Sequence, residues 1–269
     1  MRSVKYVVPF GILLFAAPAA ADAPPDGIVA PAPAQNAAAP RPWLYLDDPR
    51  TPEQLGVVAF SRLTYAGFGA SPTRPIGGET ARPGGTAEVG GEVGLLPFLS
   101  AQASAFAGTG YASEAGAVGG MAGLRLSPFD KNGATHASLS GGWIRGLDGK
   151  DGAWGRVAFA QDVGRARLGT MVHGEHIAAA GRDAVDLMLT AGASYAVTGP
   201  LRLGAEYVAQ DIEGALDGDE AEGGVRHFLG PTAAVDLASH RLSLVGGPSF
   251  GLSKGSPPVV GRLAIAWAF

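Results

Sequence analysis

Apolar and polar residues alternate one by one along most of this chain. Val185, Leu187, Leu189, Ala191, Ala193, Tyr195 and Val197 are interleaved with Asp186, Met188, Thr190, Gly192, Ser194, Ala196 and Thr198. That is the period of a β-strand whose two faces meet different surroundings. Ala87, Val89, Val93 and Leu95 stand in the same way between Thr86, Glu88, Gly90, Glu92 and Gly94. Segments of this kind, bounded by clusters of Gly, Pro, Asp and Asn, fall at 55–66, 86–96, 98–108, 116–127, 135–146, 153–163, 165–176, 185–198, 201–212, 226–237, 240–252 and 259–269. About twelve strands are therefore predicted, most of them close to the ~9–11 residues with which a tilted strand crosses a bilayer. An even number is what single-chain bacterial barrels use.

The connections carry a second period. Those after the second, sixth, eighth and tenth segments are tight, around Pro97, Gly164, Gly199-Pro200 and Ser239, and the fourth, 127–134, is an ordinary turn. The odd ones are mostly longer, notably 67–85 and 213–225. Short turns at one end and long loops at the other are a property of transmembrane barrels, with both termini on the short-turn side when the strand count is even. A soluble sandwich has no reason to sort its loops in this way.

Charge assigns the two faces. Glu88, Glu92, Arg125, Arg156, Arg167, His173, Glu175, Asp186, Arg202, Glu206, Arg241 and Arg262 each fall on one parity of their own segment, opposite Leu, Val, Ala and Tyr. A cation at the lipid midplane of a barrel costs ~2–4 kcal/mol, so this parity is expected to line the lumen. Both signs occur, and Glu–Arg pairing across the interior is the plainest role for such a set. Glycines and alanines on the same parity point to open space between the charges.

The chain closes on Val259-Val260-Gly261-Arg262-Leu263-Ala264-Ile265-Ala266-Trp267-Ala268-Phe269. A terminal Phe269 with Trp267, Ile265 and Leu263 at every second position before it resembles the assembly signal of Gram-negative outer-membrane barrel proteins. The resemblance implies an all-β, antiparallel up-and-down transmembrane barrel, delivered to the outer membrane by the barrel-assembly machinery through this strand. It also implies lipid and lipopolysaccharide as surroundings. At the other end Arg2 and Lys5 precede an apolar run at 7–17, with Ala19-Ala20-Ala21 before Asp22, the layout of a signal peptide cut after Ala21. Residues 22–42 are nearly all Ala and Pro and read as an extended periplasmic linker. The assignment is signal peptide 1–21, linker or plug 22–54 and barrel 55–269. Within the linker, Trp43, Leu44, Tyr45 and Leu46 form an apolar patch ahead of Asp47-Asp48-Pro49-Arg50. It either packs on the periplasmic rim, where amphipathic aromatics favour the interface, or enters the lumen as a small plug.

Composition removes some possibilities. The net charge of −4 gives no reason to expect nucleic-acid binding, and no segment after the first is long and apolar enough for a helical span. Zero cysteines leave no disulfide framework. His136 and Ser138, two apart on one segment, invite comparison with outer-membrane phospholipases and lipid A deacylases. In those families an asparagine follows the serine, however, and the pair faces lipid; here Leu139 follows and both side chains are on the inward parity. No catalytic site is assigned. His173 and His176 point to opposite faces, so His173 and Glu175 are expected as a polar lumen pair, with no metal and no cofactor. The acidic loop 213–223 reads as a solvated loop, or as a divalent-cation bridge to lipopolysaccharide. Residues 148–152 read as a hairpin turn. Trp143, Trp154, Tyr195, Tyr207, Phe250 and Trp267 are expected as an interfacial girdle. The function these features favour is a narrow passive channel for small polar solutes through a charged lumen. A non-conducting structural or surface-interaction barrel is the alternative, and an acylhydrolase the least favoured.

Overall fold

The structure, a computed structural model, describes residues 43, 45–66, 84–108, 117–128, 134–147, 149–177, 185–212, 225–237, 241–253 and 256–269. The proposed signal peptide, the Ala/Pro-rich residues 22–42, most of the first long loop and the acidic loop 213–223 lie outside the described residues.

Twelve strands follow one another: β1 (Val57–Ala66), β2 (Gly84–Leu96), β3 (Leu99–Gly108), β4 (Ala117–Leu126), β5 (Thr135–Arg145), β6 (Asp151–Val163), β7 (Ala166–Ile177), β8 (Asp186–Ala196), β9 (Leu201–Gln210), β10 (Arg226–Leu237), β11 (Leu242–Gly251) and β12 (Val259–Ala268). Each pairs antiparallel with its sequence neighbours, and β1 pairs with β12 through registers such as Leu63↔Leu263 and Phe60↔Ala266. The sheet is thus closed, with no free edge in the ladder, which is what a strand structure needs to sit in hydrocarbon. No strand end lies more than two residues from the segment that the alternation predicts. The departures have local causes. Leu55 and Asp211 adopt left-handed backbone, φ 63° and 54°, which turns the chain out of strand geometry just before β1 and just after β9.

The outer face is apolar. Leu63, Val89, Leu139, Trp143, Val157, Leu203, Leu263 and Trp267 all stand out from the wall. Such a belt around a closed barrel is the surface of a protein solvated by lipid. One expected girdle residue is corrected. Trp154 shares the parity of Arg156 and points inward, 4% exposed, stacked on His173 with its indole N–H donated to the Trp143 carbonyl. Tyr207 does face out, donating to or accepting from His227 Nδ1 at 2.6 Å.

Candidate functional site in the barrel lumen

The lumen is divided by chemistry. On the β7–β12 side the inward positions include Met171, Met188, Val208, Phe228, Val245 and Val260, an apolar patch set among charged positions such as Glu206 and Arg262. On the β1–β7 side they carry Arg62, Glu88, Glu92, Arg125, Arg156 and Arg167. An occupant matching both must itself be apolar on one side and charged on the other.

The chain supplies that occupant. Residue 43 and residues 45–50 lie inside the lumen and not along the rim. The segment enters at the short-turn end, where Gln54 bridges Gly94 and the Leu55 N–H donates to the Gly94 carbonyl at 2.8 Å. Gly94 is required here: a Cβ on it would collide with the Glu53 backbone. Thr51 Oγ1 donates to the Pro97 carbonyl at 3.2 Å and Ser127 Oγ to that of Pro49. Followed back from there, the chain climbs towards mid-barrel, where Trp43, Tyr45 and Leu46 are buried against the apolar patch. Burying each such side chain contributes about 1.5–3 kcal/mol, the same order as the ~1–2 kcal/mol per residue lost on ordering backbone. The polar contacts therefore decide whether the arm stays.

These contacts centre on Asp47. Its Oδ1 accepts from Arg62 at 2.9 Å, its Oδ2 from Arg125 at 3.1 Å, and Arg156 pairs with the same Oδ2. Three guanidiniums from β1, β4 and β6 thus surround one carboxylate that is 3% exposed. Arg125 also holds Glu92 at 3.0 Å and the Asp48 carbonyl at 3.1 Å, and Arg62 holds Glu88 at 3.1 Å. Asp48 is shared between Arg167 on the wall, 3.4 Å, and Arg50 of the arm itself. Glu206 serves the opposite need, accepting the Tyr45 and Leu46 backbone N–H groups at 2.9 and 3.4 Å. Arg262 lies over the Tyr45 ring, 3.1 Å from its centroid. Beside Asp47 a cavity of about 20 Å³, bordered by Arg62, Glu88, Gln102, Met121 and Arg156, has room for about one water.

The remaining charged positions spread along the wall. His173 Nε2 meets Glu175 Oε1 at 2.8 Å and His173 Nδ1 lies 3.3 Å from Arg156 Nε. Glu175 is paired in register with Asp186, and both are buried. Arg202 donates to Ser194 Oγ at 3.3 Å, and Arg226 holds Asp211 with its Nε at 3.0 Å. Arg241 stands outside this set: it precedes β11 at the rim and is exposed. His136 and Ser138 are both buried and inward, and His136 Nε2 approaches Asp162 at 3.3 Å. Leu263, Ile265, Trp267 and Phe269 face outward. Towards the long-loop end, Phe106, Ile144, Leu147, Trp154 and Ile177 form a second apolar cluster within the lumen. Sequence reasoning missed both apolar sets, although Val208 and Phe228 share the parity of Glu206 and Arg226 and were legible as inward.

Burial opposes charge on Asp48, but the Arg167 and Arg50 guanidiniums outweigh it and hold the carboxyl well below the ordinary carboxylate range. A depressed folded-state pKa stabilises docking fully above the free value, about 3.9, and the contribution is lost only as pH falls through the depressed one. Docking of the arm through Asp48 is therefore expected to be constant from pH 8 to 5. The chain has no cysteine, so Leu46→Cys would report docking through its rate of maleimide labelling, normalised to that of a free thiol at each pH. A normalised rate that climbed steadily across this range would contradict the assignment.

No protein-family model matches the sequence, and no curated protein does. Among solved structures, the COG4313 outer membrane channel from Pseudomonas putida F1 aligns over 82% of this chain and 98% of its own at 9% identity, with a TM-score of 0.54. The translocator domain of the autotransporter NalP from Neisseria meningitidis aligns over 80% and 88% at 16% identity with a TM-score of 0.43. Omp33 from Acinetobacter baumannii aligns over 81% and 99% at 13% identity with a TM-score of 0.39. The first of these likenesses shows the fold: this chain has the closed antiparallel architecture of Gram-negative outer-membrane β-barrel proteins.

Proposed function

We propose that this chain is an outer-membrane channel for small polar solutes whose lumen is closed by its own residue 43 and residues 45–50 and conducts when they withdraw. The observation that carries the reading is the set of three arginines on Asp47. It holds the arm by ionic contacts to a charged wall, which burial shields from simple salt screening but which a competing charged solute or voltage can loosen. The match to a channel from another bacterium agrees with it at the level of fold. In this reading the C-terminal strand is the segment read by the barrel-assembly machinery, and His136 and Ser138 belong to the wall and not to a hydrolase.

The test is conductance of the full chain in planar bilayers. Wild-type protein is expected to be closed for most of the time, with brief steps. Asp47→Asn combined with Asp48→Asn removes the attraction while keeping the shape. It is expected to raise the open fraction about tenfold, the effect of some 1.4 kcal/mol. The variant must first migrate as a compact, heat-modifiable band, so that silence is not mistaken for failure to fold.

The second apolar cluster favours a different outcome, a non-conducting structural barrel. Phe106, Ile144, Leu147, Trp154 and Ile177 fill lumen as a cluster of their own, apart from the one that holds Trp43, Tyr45 and Leu46. Folded wild type and variant that both stay silent at every voltage would establish that reading and dispose of the channel.

A further inference from the structure

The structure assigns a ligand class to the arginine set: we infer that Arg62, Arg125 and Arg156 form a binding site for small carboxylate-bearing solutes, and that Asp47 is a tethered stand-in for such a solute. The inference rests on the arm being a removable plug, as proposed above.

The geometry is that of a receptor site. Three guanidiniums reach one carboxylate from strands β1, β4 and β6, which are not neighbours in the barrel, and they engage both of its oxygens. Planar guanidinium forks are suited to carboxylates. Two of the three are held in place by wall carboxylates, Arg62 by Glu88 and Arg125 by Glu92. The set is therefore positioned by the barrel itself and does not depend on the arm for its shape. Arg156 is oriented by contact with His173 and lies over the Trp154 ring, 5.3 Å from its centroid.

The arm also determines what its departure leaves behind. Residues 47–50 bring two carboxylates, Asp47 and Asp48, and one guanidinium, Arg50, into the lumen. Withdrawal takes one net negative charge away from a wall that keeps all of its arginines. A solute that enters with a carboxylate finds the same donors that Asp47 occupied, next to the small polar cavity already present between Arg62, Gln102 and Arg156. A tethered segment acts at an effective concentration in the millimolar range, so a free acid must be supplied at that level or above to compete.

The experiment uses the full chain carrying Leu46→Cys, folded in detergent, with maleimide labelling as the readout of arm release. Succinate is titrated at constant ionic strength against succinamide, its neutral counterpart, and against sodium chloride. At saturating succinate the labelling rate is expected to rise about tenfold, equivalent to about 1.4 kcal/mol of competition, with no change in succinamide or chloride. Arg156→Gln, in the same background, is expected to remove the difference between succinate and chloride while the band remains compact and heat-modifiable. Equal rates in succinate and chloride would overturn the inference, and so would a succinate effect that survives Arg156→Gln. Conductance separates this from the channel reading. Succinate-driven release without current leaves the binding site standing and removes the channel. Current from the Asp47→Asn/Asp48→Asn variant, without any succinate effect on release, does the reverse.

Discussion

Arg125→Met is expected to cost the folded barrel about 3–5 kcal/mol, the range seen when one partner of a buried ion pair is removed and the other is left uncompensated. The Arg125 side chain is 1% exposed and four acceptors meet on it: Glu92 at 3.0 Å, the Asp48 carbonyl at 3.1 Å, Asp47 at 3.1 Å and Gln102 at 3.3 Å. Methionine fills much of the volume and donates to none of them. A surface pair in the same barrel gives the contrast. Arg145 and Asp151 are also 3.1 Å apart, but their side chains are 49% and 57% exposed, so water and salt screen them. Arg145→Met is expected to stay within about 0.5 kcal/mol of wild type. Urea titration in lipid vesicles, followed by the shift of the compact band, measures both. Equal midpoints for the two variants would show that the Arg125 contacts are not what holds this part of the barrel. A double-mutant cycle with Asp47→Asn then apportions the loss: coupling of about 0.5–3 kcal/mol places it on the arm, and coupling near zero places it on Glu92.

Strand positions were legible because lipid and lumen impose opposite demands on alternate residues, and those demands do not depend on distant contacts. Where the pattern lost a residue or two, a local event had displaced it. Gly84 and Gly85 have no side chains to alternate, yet β2 begins there, paired with Ala66 and Tyr65. Asp151 opens β6 two residues before the apolar pattern starts, opposite Arg145. Trp154 was misplaced for a different reason. A tryptophan suits the interface by type, but it shares the parity of Arg156 two residues on, and parity fixes the face.

The lumenal site was only half legible. Alternation identifies Arg125, Arg156 and Arg167 as inward, leaves Arg62 out of the set, and is silent on which of them converge, because convergence depends on strand height, register and the curvature of a closed sheet. It is equally silent on the arm. Residues 43–50 have no periodicity, and Asp47-Asp48-Pro49 is as good a turn as it is an anchor. The inward glycines point to open space, and at two of them the space has an owner: Trp43 lies against Gly192 and Leu46 against Gly169. Composition thus recorded the volume of the occupant without naming it.

Gly192 gives the sharpest test of that ownership. A Cβ at this position would stand 2.6 Å from the Trp43 ring and 3.1 Å from Glu206 Cγ. The first distance requires the ring to move, and the second presses on the carboxylate that receives the Tyr45 and Leu46 N–H groups. Gly192→Val therefore strikes the arm at two anchors. The strand itself should tolerate the change, since Gly192 sits within β8 without positive φ and valine is a good strand former. Overpacking of this kind costs about 1–3 kcal/mol. A barrel wall laced by two hydrogen-bonded neighbours is harder to distort than an arm is to eject, so the strain should leave with the arm. In the Leu46→Cys background the variant is expected to label about tenfold faster, as a loss near 1.4 kcal/mol dictates, with the compact band retained. Gly169→Ala is the matched control: in the native chain its Cβ would stand no closer than 3.4 Å to the Leu46 methyls, ordinary contact that the smaller cysteine only relieves, and labelling should not change. Equal rates in the two variants would mean that Trp43 does not hold the arm at mid-barrel.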